Sequence, residues 1–156
     1  LDVKGMTIRI INVHMQTTNF DRMRSKAAQA RGEQDEEQER GIYLGYSDNF
    51  RENTVRRAGQ AEQISSLINA TEYPLIVCGD FNDSPISYTH RVVGEGLNDA
   101  FVESGNGFGI SYNQNHFYFR IDNILLSKNL KSYRCTVDNT IKSSDHYPIW
   151  CYVAEK

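Results

Sequence analysis

The chain has 156 residues, 17 Lys and Arg against 20 Asp and Glu, and a formal net charge of −3. One domain is the expectation from that length, and 39% apolar with 24% charged residues excludes a fibrous or wholly disordered chain. The balance of charge gives no broad footprint for nucleic acid, and apolar runs of at most six residues leave no membrane-spanning segment and no expected secretory signal.

In chain order, residues 6–14 alternate between two faces, Ile8, Ile10 and Asn12 on one and Arg9, Ile11 and Val13 on the other, which predicts a strand that delivers His14 to its C-terminal end. Residues 19–41 form a polar, acidic insertion holding Glu33–Glu39, read as a solvated helix face or loop that ends at Gly41. Residues 54–70 predict a helix capped by Asn53, with Val55, Ala58, Ile64, Leu67 and Ile68 near one stripe. The adjacent basic pair Arg56-Arg57 is expected on its solvated face. Tyr73-Pro74 ends that helix, and Leu75–Cys78 reads as a buried strand. Strand, helix and strand in that order indicate a layered α/β fold. A short helix is expected after Pro85, and three strands in the last part of the chain: Phe119–Leu126, Ser132–Val137 and Pro148–Val153. The three cysteines, an odd number, lie inside strand-like runs without metal spacing and read as small buried thiols.

Chemistry concentrates where polar residues follow or interrupt apolar strands. Gly79-Asp80-Phe81-Asn82 follows Leu75–Cys78, Arg120-Ile121-Asp122 places a carboxylate in an apolar strand, and Ser144-Asp145-His146-Tyr147-Pro148 opens the last strand. Loops at strand ends are where layered α/β folds build sites. A carboxylate inside a strand requires a partner, and a histidine is a natural one, because the carboxylate fixes the imidazole tautomer and favours its charged form.

These motifs in this order, preceded by Asn12-Val13-His14, resemble the C-terminal half of the endonuclease/exonuclease/phosphatase superfamily, the deoxyribonuclease I-like layered α/β sandwich. The resemblance runs over nearly the whole chain and implies a mixed or antiparallel sheet with helices on one face. It also implies a Mg²⁺-dependent phosphoesterase, with Mn²⁺ as a possible substitute, acting on a phosphate-ester substrate by activated water. Asp80 would orient or deprotonate the water, and Asn82 would hydrogen-bond a phosphate oxygen. His146 would bind the phosphate while Asp122 accepts its other ring N–H. His14 would stand on the phosphate or leaving-group side, and Asp145 would be a metal ligand.

The family's first half normally carries a strand-end Asn and a metal-binding Glu, and neither is matched within these 156 residues. The reading is therefore a C-terminal portion, residues 1–156, of a longer domain, expected to hydrolyse phosphodiesters weakly or not at all by itself. The alternative is a non-catalytic remnant serving as a binding or assembly module. Strands 75–78 and 121–126 carry apolar residues on both faces, so one sheet face is expected to lie open and to drive homodimer formation.

Overall fold

A computed structural model describes residues 1–18, 20–33, 35–113 and 118–156. The alternation at the start of the chain becomes a short hairpin, β1 (Asp2–Val3) and β2 (Met6–Thr7), followed by β3 (Arg9–His14). Two helices come next, α1 (Phe20–Gly32) and α2 (Glu36–Asn69). Then follow β4 (Leu75–Asp80), α3 (Tyr88–Val93), β5 (Asn98–Asp99) and α4 (Ala100–Ser104). The chain finishes with β6 (Asp122–Leu126), β7 (Leu130–Val137) and β8 (Ile149–Glu155).

The main sheet has four strands in the order β3-β4-β6-β5. β3 and β4 are parallel, as the long helical crossover between them requires, and the other pairings are antiparallel, so the sheet is mixed. One face packs Leu75, Val77, Phe81 and Leu125 against Ala61, Ile64 and Ile68 of α2 and Val92 and Val93 of α3. On the other face Ile76, Ile124 and Leu126 meet Leu130, Cys135, Ile149, Cys151 and Val153 of the antiparallel β7–β8 ribbon. The ribbon covers much of the face expected to lie open, which corrects that expectation in part; Ile10 of β3 is still 48% exposed.

The acidic insertion is helical on both sides of Gln34, which, like Asn19, lies outside the described residues. It does not end at Gly41. The Asp35 carboxylate accepts the Gln38 N–H at 2.8 Å and caps α2, which continues unbroken through Gly41, Gly45 and Gly59 to Asn69. A glycine stops a helix by adopting positive φ, and none of these three does. Asn53, expected as the cap, is a buried residue inside the helix. The apolar stripe is also displaced. Arg57, Ala61, Ile64 and Ile68 fall at i, i+4, i+7 and i+11 and face inward, while Val55 and Leu67 are exposed. Of the basic pair, Arg56 is exposed and paired with Glu52, but Arg57 is 1% exposed. Among the described residues, no helix is long and apolar enough to cross a membrane.

Candidate active site

Strand register brings three of the sequence motifs to one edge of the sheet. His14 is opposite Asp80 in the parallel β3–β4 pair, and Asp80 is opposite Asp122 in the antiparallel β4–β6 pair. Side chains at paired positions share a face, so these three stand side by side. His14 Nε2 lies 3.6 Å from Asp80 Oδ2, with the imidazole largely exposed. Gly79 makes that close pairing possible: its φ is +134°, and a Cβ there would lie 1.9 Å from the Val13 carbonyl oxygen on the neighbouring strand.

Beyond β4 the chain turns sharply at Asn82, whose φ is +49°, a conformation Asn tolerates better than most residues. Its backbone N–H donates to Asp80 Oδ1 at 2.7 Å, and its side-chain amide donates to Asp80 Oδ2 at 2.9 Å and to the Met15 carbonyl at 3.0 Å. Both amide hydrogens are therefore engaged within the chain. Asn82 holds the Asp80 carboxylate and ties it to the end of β3. Behind this turn the buried Arg57 donates to the Gln16 carbonyl at 3.0 Å and meets Asp83 Oδ2 at 3.4 Å, and Thr89 Oγ1 donates to the same carboxylate oxygen at 2.9 Å. The two loops that carry the site are fastened to α2 and α3 at one point.

His146, on the loop before β8, comes back over the start of β6. Its Nδ1 lies 2.8 Å from Asp122 Oδ2, within the hydrogen-bond range expected from the sequence. That hydrogen bond raises the His146 pKa despite partial burial, and the nearby Asp122, Asp80 and Asp145 charges add to it. Burial likewise raises the Asp80 pKa, helped by the Asp122 charge and opposed by the Asn82 hydrogen bond and the two histidines. Asp80, Asp122 and His146 each offer a ligand atom within 4.8 Å of the others, and among the described residues they are the one cluster of this kind. Asp145, assigned to the metal from the sequence, is exposed and outside that trio; its carboxylate accepts from Ser144 Oγ at 3.0 Å.

Sequence reasoning missed the buried supports. Arg57 is expected from the sequence on the solvated face, and only its spacing to Ala61, Ile64 and Ile68 signals that it faces inward. Asn123, beside Asp122, is fully buried, accepting from Arg120 Nη1 at 2.9 Å and donating to the Ile121 carbonyl at 2.9 Å. Its place in a strand that is apolar on both faces signals its burial, while its partners do not show in the sequence.

None of the curated proteins compared with this chain matches it. Solved structures do. A protein of Leptotrichia buccalis described as an endonuclease/exonuclease/phosphatase family protein aligns with 99% of this chain and 52% of its own, at 20% identity and a TM-score of 0.57. One from Bacteroides vulgatus, the endonuclease/exonuclease/phosphatase, aligns over 66% of this chain and 45% of its own, at 19% identity and a TM-score of 0.56. Truncated Caenorhabditis elegans TDP2 aligns over 94% of this chain and 54% of its own, at 17% identity and a TM-score of 0.54. The chain thus spans about half the length of the structures it resembles, and at these identities the likeness establishes the deoxyribonuclease I-like α/β fold. The Endonuclease/Exonuclease/phosphatase family profile matches residues 18–146, from the start of the helical crossover to the site histidine, and by that match the chain belongs to this family.

Proposed function

We propose that the chain carries the hydrolytic site of a metal-dependent phosphoesterase, cleaving phosphate esters with an activated water. The observation that carries this reading is the Asp80, Asp122 and His146 trio at the sheet edge, with His146 hydrogen-bonded to Asp122 at 2.8 Å. A general base, a cationic donor to phosphoryl oxygen and a carboxylate to hold that donor are what in-line attack on phosphorus requires.

Asp80 is the base. Burial raises its proton affinity, and the two Asn82 hydrogen bonds fix its orientation. Asp122, accepting from Nδ1, favours the charged form of His146 and leaves Nε2–H to donate to a phosphoryl oxygen. His14, exposed beside Asp80, serves the phosphate or leaving-group side. The donors at this edge are mostly carboxylate oxygens, without a thiolate, which fits a hard divalent cation such as Mg²⁺ or Mn²⁺ that keeps part of its water shell. Asp145 on the exposed loop would hold it, with Asp122 as the nearby carboxylate at the sheet, which leaves Asp80 free to act as the base. Such a cation supplies positive charge against the phosphoryl oxygens and the leaving group.

A panel of phosphodiesters and phosphomonoesters, assayed with and without Mg²⁺, tests the reading. Slow, metal-dependent turnover lost in both Asp80→Asn and His146→Ala is the expected result. Turnover indifferent to Asp80→Asn would overturn the assignment. A folded chain inert towards every ester would favour the binding or assembly module instead.

A further inference from the structure

The Asp122–His146 pair joins residues 24 positions apart, and nothing in either motif fixes their separation. Between them runs a third segment, residues 111–112. Tyr112 forms antiparallel bridges to Phe119 on one side and to His146 on the other. Ser111, fully buried, has contacts in both directions. Its Oγ accepts the backbone N–H groups of Ile121 and Asp122, each at 3.1 Å. Its carbonyl accepts the N–H of Tyr147, the residue after His146, at 2.7 Å, and its own N–H donates to the Phe119 carbonyl at 3.0 Å. The Tyr112 ring then meets the His146 ring edge-on, with centroids 5.1 Å apart.

From this we infer that Ser111 is a positioning residue for the site: through its hydroxyl it places the Asp122 backbone, through its carbonyl it places the His146 segment, and so it sets the Asp122–His146 hydrogen bond. The role depends on a short hydroxyl side chain. Alanine fills the space without an acceptor and strands two N–H groups, and cysteine fills it with a weak acceptor. Relaxation of those N–H groups towards other partners moves Asp122 away from the imidazole, and displacements of this order are costly to a preorganised site. The functional consequence rests on the phosphoesterase reading above; the geometric one does not.

The experiment uses the chain labelled with ¹⁵N-histidine. In the parent chain the His146 Nδ1–H is expected to give a downfield proton resonance, identified by its absence in Asp122→Asn. Ser111→Ala and Ser111→Cys, each shown to be folded by cooperative unfolding, are expected to lose or strongly shift that resonance. Ser111→Thr, which keeps the hydroxyl, is expected to restore it. In the ester assay the Ala and Cys variants are expected to lower kcat about 10- to 100-fold with KM little changed. A resonance unaltered in both variants would overturn the role of Ser111 whatever the rates. Loss of the resonance with full turnover would instead overturn the catalytic role of the Asp122–His146 pair and leave Ser111 as its positioner. Should alanine prevent folding, Ser111→Cys carries the same test alone.

Discussion

Arg120 grips Asp99 through both terminal guanidinium nitrogens, Nη2 to Oδ2 at 2.6 Å and Nη1 to Oδ1 at 3.1 Å, with both side chains nearly buried. His90 Nε2 joins the same carboxylate at 3.1 Å, and Asp99 Oδ1 accepts the Phe101 and Val102 N–H groups that begin α4. The guanidinium also lies over the Phe101 ring, 5.3 Å from its centroid. One carboxylate therefore ties α3, α4 and the approach to β6 together, immediately behind the strand that carries Asp122. Removing one partner of such a pair leaves the other buried and uncompensated, at a cost of about 3–5 kcal/mol. Asp99→Ala is expected to lose stability of that order in urea unfolding, and Arg120→Met with Asp99→Leu together less than the sum of the single changes. Additive losses would show that the two residues act independently.

The same carboxylate gives stability a pH dependence. Burial alone would raise the Asp99 pKa, but the hydrogen bonds from His90 and Arg120 outweigh it and hold the carboxyl well below the ordinary value of 3.8. A depressed native pKa means that the unfolded state takes up the proton first. The contribution is present in full above about pH 4 and declines as pH falls below that. Unfolding free energy measured from pH 7 to pH 3 is expected to drop in acid for the parent chain and more shallowly for Asp99→Asn. Equal slopes would remove Asp99 from the acid response.

Across the Asp122–His146 pair the sign reverses. The Asp122 hydrogen bond raises the His146 pKa, so the charged imidazole persists to higher pH and its contribution is lost as pH rises through the native value. Asp122→Asn is expected to bring the His146 pKa down in an NMR titration and to move the alkaline limb of any ester hydrolysis downwards with it. A titration unchanged by the substitution would mean that the pair does not set the charge on the ring.

Continuity of α2 through its glycines can be tested separately. A Cβ at Gly41 or Gly45 would meet no atom within 4 Å, and both positions are exposed and helical. Gly41→Ala and Gly45→Ala are each expected to stabilise the helix by about 0.5–1 kcal/mol, with increased helical circular dichroism. Destabilisation by either would mean that α2 is interrupted there.

Strand ends and the residues that follow them were legible because alternation of two and continuous apolar runs are local signals: β3, β4 and β6 appear close to where the pattern places them, and the positions of His14, Asp80 and Asp122 follow from register. In the helical crossover local cues conflict with long-range ones. Asn53 has the chemistry of a cap, but Asp35 had already started the helix 18 residues earlier, so Asn53 lies inside it. Val55 appears apolar in the sequence, yet the inward position is taken by Arg57, whose charge is satisfied by the Gln16 carbonyl and Asp83, residues 41 and 26 positions away. Ser111 gives no local signal, because a lone serine acquires its meaning only from the strands that close around it.

The length of α2 has a mechanical consequence. At 34 residues it is about 51 Å long, whereas the six residues of β4 extend about 20 Å. Arg57, reaching Gln16 and Asp83, marks the level at which the helix passes the sheet edge, so the stretch from Glu36 to Glu52, about 25 Å, continues beyond that edge with α1 packed along it. The edge it overruns is the one that ends in His14 and Asp80. The helical pair is thus a cantilever rooted beside the site, clamped at Gln16 and Arg57, with Tyr43, Leu44 and Phe50 exposed along its span. Its reach can be shortened or extended by whole helical turns while the clamp, the sheet register and the spacing of the site residues stay the same.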